Sequence, residues 1–132
     1  MINTKRMLLA FVVALVVVNL YDFVVFRWAL GSLHAAHKNL LRTDVPFLRY
    51  FLTGALNVAL ITLLYALFAR GKASRLSTGV VFGFLLGLIA GWVPQAYNKL
   101  VLADYPFYTA WAWAVFGGYL LIGIVLGLVY RE

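Results

Sequence analysis

Few residues of this sequence are able to carry chemistry, and the most informative of them lie within long apolar stretches. Asp22 is the only acidic residue inside such a stretch, and Asn19 lies three positions earlier, on nearly the same face of a helix. Asn57 lies near the middle of a second stretch. An ionisable side chain inside a membrane is costly, so it usually faces protein, a water-filled cavity or a cation. We therefore predict a polar intramembrane site made of Asn19, Asp22, Asn57 and Gln95.

Two interpretations of this polar set remain open. Amides within spans commonly hydrogen-bond between helices and contribute only about 0.6 kcal/mol each, which would make the set structural. Alternatively, the set binds a ligand or an ion. Arg27 follows Asp22 by five positions and so lies about 140° away around an α-helix. Pairing of Asp22 with Arg27 of the same helix is therefore awkward, and Arg49, or Arg27 of a second chain, is an equally good candidate partner.

Two histidines raise the question of a metal site. His34 and His37 lie three positions apart, but no acidic or cysteine cluster joins them to complete a coordination sphere. We interpret them as interfacial residues near lipid headgroups. The sequence contains no cysteine, and no HExxH, P-loop, nucleophile-elbow or dinucleotide-binding motif. We therefore predict no catalytic residues, no metal and no cofactor.

The elements that must position these residues follow from composition. Hydrophobic residues make up 65% of the 132 residues and charged residues 11%, whereas soluble domains are about half apolar and a quarter charged. A membrane core of about 30 Å needs roughly 20 apolar residues of helix. Four stretches qualify: residues 7–30, 47–69, 78–98 and 108–130. The prediction is an all-α, integral membrane bundle of four transmembrane helices that forms one domain over residues 1–132.

The connection between the first two spans has helical periodicity. Over residues 31–45, one face is basic and another is apolar, before Pro46 ends the pattern. The basic face consists of His34, Lys38 and Arg42, and the apolar face of Leu33, Ala36 and Leu40. This pattern predicts a short amphipathic helix that lies in the membrane interface.

Four spans place both termini on one side of the membrane. We name this side A, which includes the loop near residues 70–75, and the opposite side B, which holds residues 31–46 and 99–107. Side A carries Lys5, Arg6, Arg70, Lys72, Arg75 and Arg131, and side B carries Arg27, Lys38, Arg42, Arg49 and Lys99. This slight excess favours cytoplasmic termini. All four tryptophans lie towards side B: Trp28, Trp92, Trp111 and Trp113. We interpret them as interfacial anchors, or as part of a partner surface.

Small residues at four-residue spacing predict how the helices pack. Gly79, Gly83, Gly87 and Gly91 form a row along the third span. Such spacing lets helix backbones approach closely in a membrane. On the fourth span, Ala110, Ala114 and Gly118 form the expected counterpart within the chain. Gly123 and Gly127 lie on a different face, and we assign them to assembly with a second copy or another subunit.

Together these patterns resemble a family of small, uncharacterised four-helix bacterial inner-membrane proteins. The resemblance rests on the pair Asp22-Phe23 near the end of the first span, and on a glycine-rich third span followed by Pro94-Gln95. It rests also on a fourth span of small residues that ends in GLVYR, at residues 127–131. The resemblance implies a multi-pass protein of the bacterial inner membrane, and it implies no particular activity.

Three functions are compatible with the sequence. The first is a non-catalytic accessory subunit or self-assembling component of a membrane complex, with membrane lipids and further protein copies as partners. The second is a small dimeric transporter or channel that uses Asp22 for an ion or small cation. The third is a membrane protein that binds a lipid or a quinone on side B. The net charge of +7 does not indicate nucleic acid, because the basic residues lie at helix ends and in loops, where lipid headgroups meet them.

Overall fold

The computed structural model describes residues 2–38, 44–72, 76–94 and 105–130. Within these ranges the chain is helical and contains no strand. The helices are α1 (Thr4–Asp22), α2 (Gly31–Ala36), α3 (Phe47–Phe68), α4 (Leu76–Gly87) and α5 (Tyr105–Val129). Two of them continue as wider π-helical segments, which are Phe23–Ala29 after α1 and Leu88–Trp92 after α4. The all-α prediction is confirmed.

Three helices are long and apolar enough to cross a membrane. They are Thr4–Ala29, Phe47–Phe68 and Pro106–Val129. The apolar helix Leu76–Trp92 is shorter, with 12 α-helical and 5 π-helical residues. The amphipathic segment predicted over residues 31–45 is helical as α2 for 6 residues, Gly31–Ala36, and residues 39–43 lie outside the described part.

Local chemistry explains where the long helices begin and end. The side chain of Asn3 accepts a hydrogen bond of 3.1 Å from the Arg6 backbone N–H and so caps the start of α1. Pro46 precedes α3 in an extended conformation, with φ −58° and ψ 138°. Beyond the end of α3, Gly71 adopts a φ of 72°, a left-handed conformation that favours glycine and reverses the chain towards α4.

The glycine row on α4 packs against α5 of the same chain. A Cβ atom on Gly79 would overlap the carbonyl oxygen of Gly123 and lie 2.8 Å from the Cα of Gly127. A Cβ atom on Gly83 would lie 2.7 Å from the carbonyl oxygen of Tyr119. These neighbours are backbone atoms, which cannot rotate away. Only glycine therefore permits this approach of the two helices.

The row continues towards the other end of the helix pair. A Cβ atom on Gly87 would meet Phe116, whose backbone oxygen would lie 2.9 Å away. A Cβ atom on Gly91 would lie 2.7 Å from the carbonyl oxygen of Ala112. All four glycines of the row therefore pack against α5 of the same chain.

The face of α5 that receives this row differs from the predicted one, which consisted of Ala110, Ala114 and Gly118. The carbonyl oxygen of Ala114 instead accepts a hydrogen bond from the Tyr21 hydroxyl of α1, and a Cβ atom on Gly118 would lie 3.3 Å from the Tyr21 ring. The backbones of α4 and α5 approach most closely where both helices have glycine. At that point Gly79 and Gly83 contact Gly123. The predicted counterpart row is therefore corrected.

The assignment of Gly123 and Gly127 to assembly is corrected by the same geometry. Both residues are buried in the seam between α4 and α5. A Cβ atom on Gly123 would lie 2.6 Å from the Cα of Gly83. These two glycines therefore serve packing within the chain and present no free face to another subunit.

Helix α3 packs on the bundle through one half only. Its buried side chains begin at Val58 and include Ile61, Thr62 and Tyr65. The Tyr65 ring makes edge contacts with Phe82 of α4 at 5.1 Å and with Tyr130 beyond α5 at 6.0 Å. By contrast, residues 47–54 are all exposed. The first half of α3 therefore diverges from α1 and α5 and leaves space between them.

Candidate functional site

The space beside the diverging half of α3 is a cleft of about 460 Å³ between α1, α3 and α5. Three of the four predicted polar residues line it: Asn19, Asp22 and Asn57. The fourth, Gln95, lies outside the described residues. Positions far apart in the sequence are thus brought together in one site, although no spacing along the chain indicates this.

Two hydrogen bonds connect the walls of the cleft. The Asn57 side-chain amide of α3 donates to the Tyr119 hydroxyl of α5 at 3.1 Å. The Tyr21 hydroxyl of α1 donates to the Ala114 carbonyl oxygen of α5 at 2.7 Å. Helix α5 therefore forms the common wall to which α1 and α3 are each attached by a polar contact.

Asn19 is partly used within its own helix. Its Nδ2 group donates to the Leu15 carbonyl oxygen at 2.7 Å. This bond leaves the side-chain oxygen of Asn19 as the acceptor that the residue offers the cleft. Of the predicted polar set, Asn57 therefore has the interhelical structural role, whereas Asn19 does not connect two helices by this bond.

Asp22 lies where the cleft meets a second, more open recess of about 790 Å³. The two spaces share Asn19, Asp22, Phe26 and Tyr50. Asp22 is partly buried, and among the described residues it makes no ion pair. The candidate pairing with Arg49 is therefore absent within the described part of the chain.

The recess also has a basic lining. It is lined by Arg27 from the first π-helical segment and by His34 and Lys38 from α2 and the residues that follow. The guanidinium of Arg27 lies over the Phe23 ring at 5.8 Å. Negative and positive side chains therefore line one continuous space without an ion pair between Asp22 and Arg27.

Asp22 and Arg27 both line this recess, and the segment that follows Asp22 is π-helical. The Leu30 backbone N–H donates to the Val25 carbonyl oxygen at 2.8 Å, a bond across five residues. A π-helical turn rotates less per residue than an α-helix, so the angle between residues five apart is smaller than the roughly 140° expected for an α-helix. Both side chains reach the same recess, but, as expected from the sequence, Asp22 and Arg27 form no ion pair among the described residues.

An aromatic cluster holds α2 against the start of α5. The His34 ring stacks on Phe26 with centroids 5.7 Å apart and lies 5.6 Å from Trp111 and 6.0 Å from Phe107. The His37 ring lies 4.9 Å from Phe107. Both histidines thus pack on aromatic rings rather than serving only as headgroup contacts. No group of three or more potential metal ligands occurs among the described residues.

Several residues of the cleft were not identified from the sequence. The uneven distribution of tryptophan and tyrosine towards side B was the one signal that could have found Trp111 and Tyr50. Nothing in the sequence marked Tyr119 or Gly54, because a single tyrosine or glycine in an apolar helix has many structural uses. Their role depends on the divergence of α3.

The fold and the cleft define a class: a helical protein with three helices long and apolar enough to cross a membrane, and a cleft between them. No protein-family model, curated protein sequence or solved structure matches the chain. The resemblance to small four-helix inner-membrane proteins therefore stays a prediction, and the function is argued from the geometry of this chain.

Proposed function

We propose that this protein is a non-catalytic membrane protein that binds one membrane lipid in the cleft between α1, α3 and α5. The observation that carries this proposal is the divergence of α3, which leaves a space of about 460 Å³ among membrane-crossing helices. Pockets for small molecules have volumes of about 300–1,000 Å³. Because the opening lies between helices, a molecule dissolved in the bilayer can enter it sideways.

The distribution of side chains suits an amphipathic ligand. The end of the cleft near the bundle core is apolar, with Val18, Val58 and Ile122. The other end contains Asp22 and Tyr50 and joins the basic recess. An acyl chain would lie along the apolar walls, and a polar headgroup would lie at Asp22 and in the recess.

The proposal includes the membrane arrangement predicted from the sequence. Helix α4 with its π-helical extension is the third of four spans, because it runs along α5 through the glycine seam and has a length of about 25 Å at 1.5 Å per residue. A span a few ångströms shorter than the membrane core is accommodated by local thinning. Helix α2 lies in the interface, the membrane is the bacterial inner membrane, and the termini are cytoplasmic.

A second candidate function is a small transporter or channel for an ion or small cation. It is favoured by the position of Asp22, a carboxylate between a cleft and an open recess. Self-assembly or an accessory role also stays a prediction, but Gly123 and Gly127 no longer support it because they lie in the seam within the chain.

Native mass spectrometry of the protein purified in mild detergent tests lipid binding. We expect one retained phospholipid per chain. Gly54 lines the cleft and has no atom within 4 Å of an added Cβ, so Gly54→Leu fills the cleft without a backbone clash and should remove the lipid. The matched control is Ala59→Leu, on an exposed part of the same helix outside the described cleft lining.

Two results would overturn this proposal. One is a wild-type protein that retains no phospholipid in the detergent in which it stays folded. The other is equal retention by Gly54→Leu and Ala59→Leu, which would place the bound lipid on the outer surface of the bundle.

A further inference from the structure

The recess beside the cleft carries opposite charges that do not neutralise one another. Asp22 lines it together with Arg27 and Lys38, and among the described residues none of the three makes an ion pair. A partly buried carboxylate is costly unless a cation or a hydrogen-bond donor reaches it. A molecule that carries a positive and a negative group complements both sets of charges.

We propose that the site selects a phospholipid with a zwitterionic aminoethyl phosphate headgroup. This inference rests on the proposed lipid-binding function and deepens it. The headgroup ammonium donates to the Asp22 carboxylate, and the headgroup phosphate lies near Arg27 and Lys38. Both opposite charges of the recess are then paired by one molecule whose acyl chain occupies the cleft.

The hydrogen-bonding state of Asn19 favours a primary ammonium over a quaternary one. The Nδ2 group of Asn19 is bonded to Leu15, so the residue contributes its side-chain oxygen as an acceptor beside Asp22. A primary ammonium has three N–H donors, as a lysine side chain does, and serves both acceptors at once. A trimethylated ammonium has no N–H and can serve neither by a hydrogen bond of this kind.

The basic residues explain why phosphate is bound in the same site. Arg27 is held over the Phe23 ring, and Lys38 is exposed just beyond α2. Both cations line the same recess as Asp22. A purely anionic headgroup would pair with them but would leave Asp22 without a cation, so it should bind less tightly.

Competition among lipids with identical acyl chains tests this selectivity. Native mass spectrometry is carried out with equimolar phosphatidylethanolamine, phosphatidylcholine and phosphatidylglycerol. The occupancy of phosphatidylethanolamine should exceed that of each other lipid about tenfold, because one charge-assisted hydrogen bond corresponds to that factor or more. Stepwise N-methylation of phosphatidylethanolamine should reduce its occupancy progressively. This series needs only the wild-type protein, so the test does not depend on a variant that folds.

Variants then assign the two charges. Asp22→Asn should lower the occupancy of phosphatidylethanolamine to that of phosphatidylcholine and so remove the preference. The double variant Arg27→Gln, Lys38→Gln should weaken the binding of all three lipids to the same extent, because each of them carries a phosphate. Arg49→Gln is the matched control, since it removes a positive charge from the start of α3 without lining the described recess.

The outcomes separate the inference from the proposed function. Equal occupancy by all three lipids, or a preference for phosphatidylglycerol, overturns the headgroup selectivity and leaves lipid binding in place. The absence of any retained lipid overturns the proposed function itself.

Discussion

The Asn57 side chain of α3 donates a hydrogen bond of 3.1 Å to the Tyr119 hydroxyl of α5. This contact lies next to Val58, where the buried half of α3 begins, and close to the exposed residues 47–54. It therefore marks the point at which α3 leaves the bundle and the cleft opens. Because both residues line the cleft, the width of the cleft depends on this attachment.

The contribution of this contact is measurable by a double-mutant cycle. Asn57→Ala and Tyr119→Phe should each reduce stability, with a coupling energy of about 0.6 kcal/mol, which is typical of interhelical hydrogen bonds in membranes. The measurement is reversible unfolding in mixed detergent micelles. Thr53→Val combined with Tyr119→Phe is the control, because Thr53 donates to Arg49 of its own helix. Equal coupling in both cycles would contradict the interhelical role of Asn57.

The glycine seam predicts opposite effects for the same substitution at two positions. Gly83→Ala places a Cβ against two carbonyl oxygens of α5 and should cost about 1–3 kcal/mol of stability. Gly54→Ala meets no atom within 4 Å and should stabilise α3 by up to about 1 kcal/mol through helix propensity. Thermal unfolding of both variants in detergent checks this. Equal tolerance of the two changes would argue against a close approach of α4 and α5.

Gly123 distinguishes packing within the chain from assembly between chains. Its Cβ would overlap the Gly79 carbonyl oxygen, so Gly123→Ala should destabilise the chain as Gly83→Ala does. The oligomeric mass of the fraction that remains folded should be unchanged. Light scattering of the purified protein measures this mass. A stable variant with an altered mass would restore the assembly role that the sequence suggested.

The four-span arrangement is testable because the chain has no native cysteine. Single cysteines at Asn3 and Lys72 should react with an impermeant maleimide from one side, and cysteines at Lys38 and Pro106 from the other. Ala59→Cys is a control within α3 and should remain unlabelled in intact membranes. If α4 does not cross the membrane, the cysteine at Pro106 would be labelled from the same side as that at Lys72.

Asp22 decides between lipid binding and the second candidate function. If the protein only binds lipid, ethidium and proton flux into proteoliposomes should equal that of empty liposomes, and Asp22→Asn should not change it. Fluorescence of an entrapped reporter, DNA for ethidium and a pH-sensitive dye for protons, measures each flux. Flux by the wild-type protein that disappears in Asp22→Asn, but persists in Arg49→Gln, would favour the transporter.

The polar members of the site are recognisable from residue type and position in the chain. Asn19, Asp22 and Asn57 are conspicuous because amides and carboxylates are expensive in an apolar helix and so need a partner. Their grouping in one site was predicted on that ground, but the cleft that holds them was not. The cleft depends on the angle at which α3 diverges, and that angle results from many weak contacts along Val58, Ile61 and Tyr65.

The spacing of residues along a helix predicts which residues share a face, but it does not predict which other helix that face contacts. The spacing of Gly79 and Gly83 is sufficient to predict a face for close contact, since helix geometry fixes which residues share a side. Which face of α5 meets it was decided by packing, where Gly123 allowed a closer approach than Ala114. The π-helical turn after Asp22 escaped prediction for a similar reason, because counting 100° per residue assumes an unbroken α-helix.

The sequence by itself determined the class of secondary structure, the apolar helices and the few polar residues worth following, because these depend on residue type and local spacing. The tertiary structure alone decided the partner of each helix face, the recess that Arg27 and Asp22 share and the shape of the cleft. Those features arise from the relative rotation and tilt of helices, which are set by the sum of contacts between distant parts of the chain.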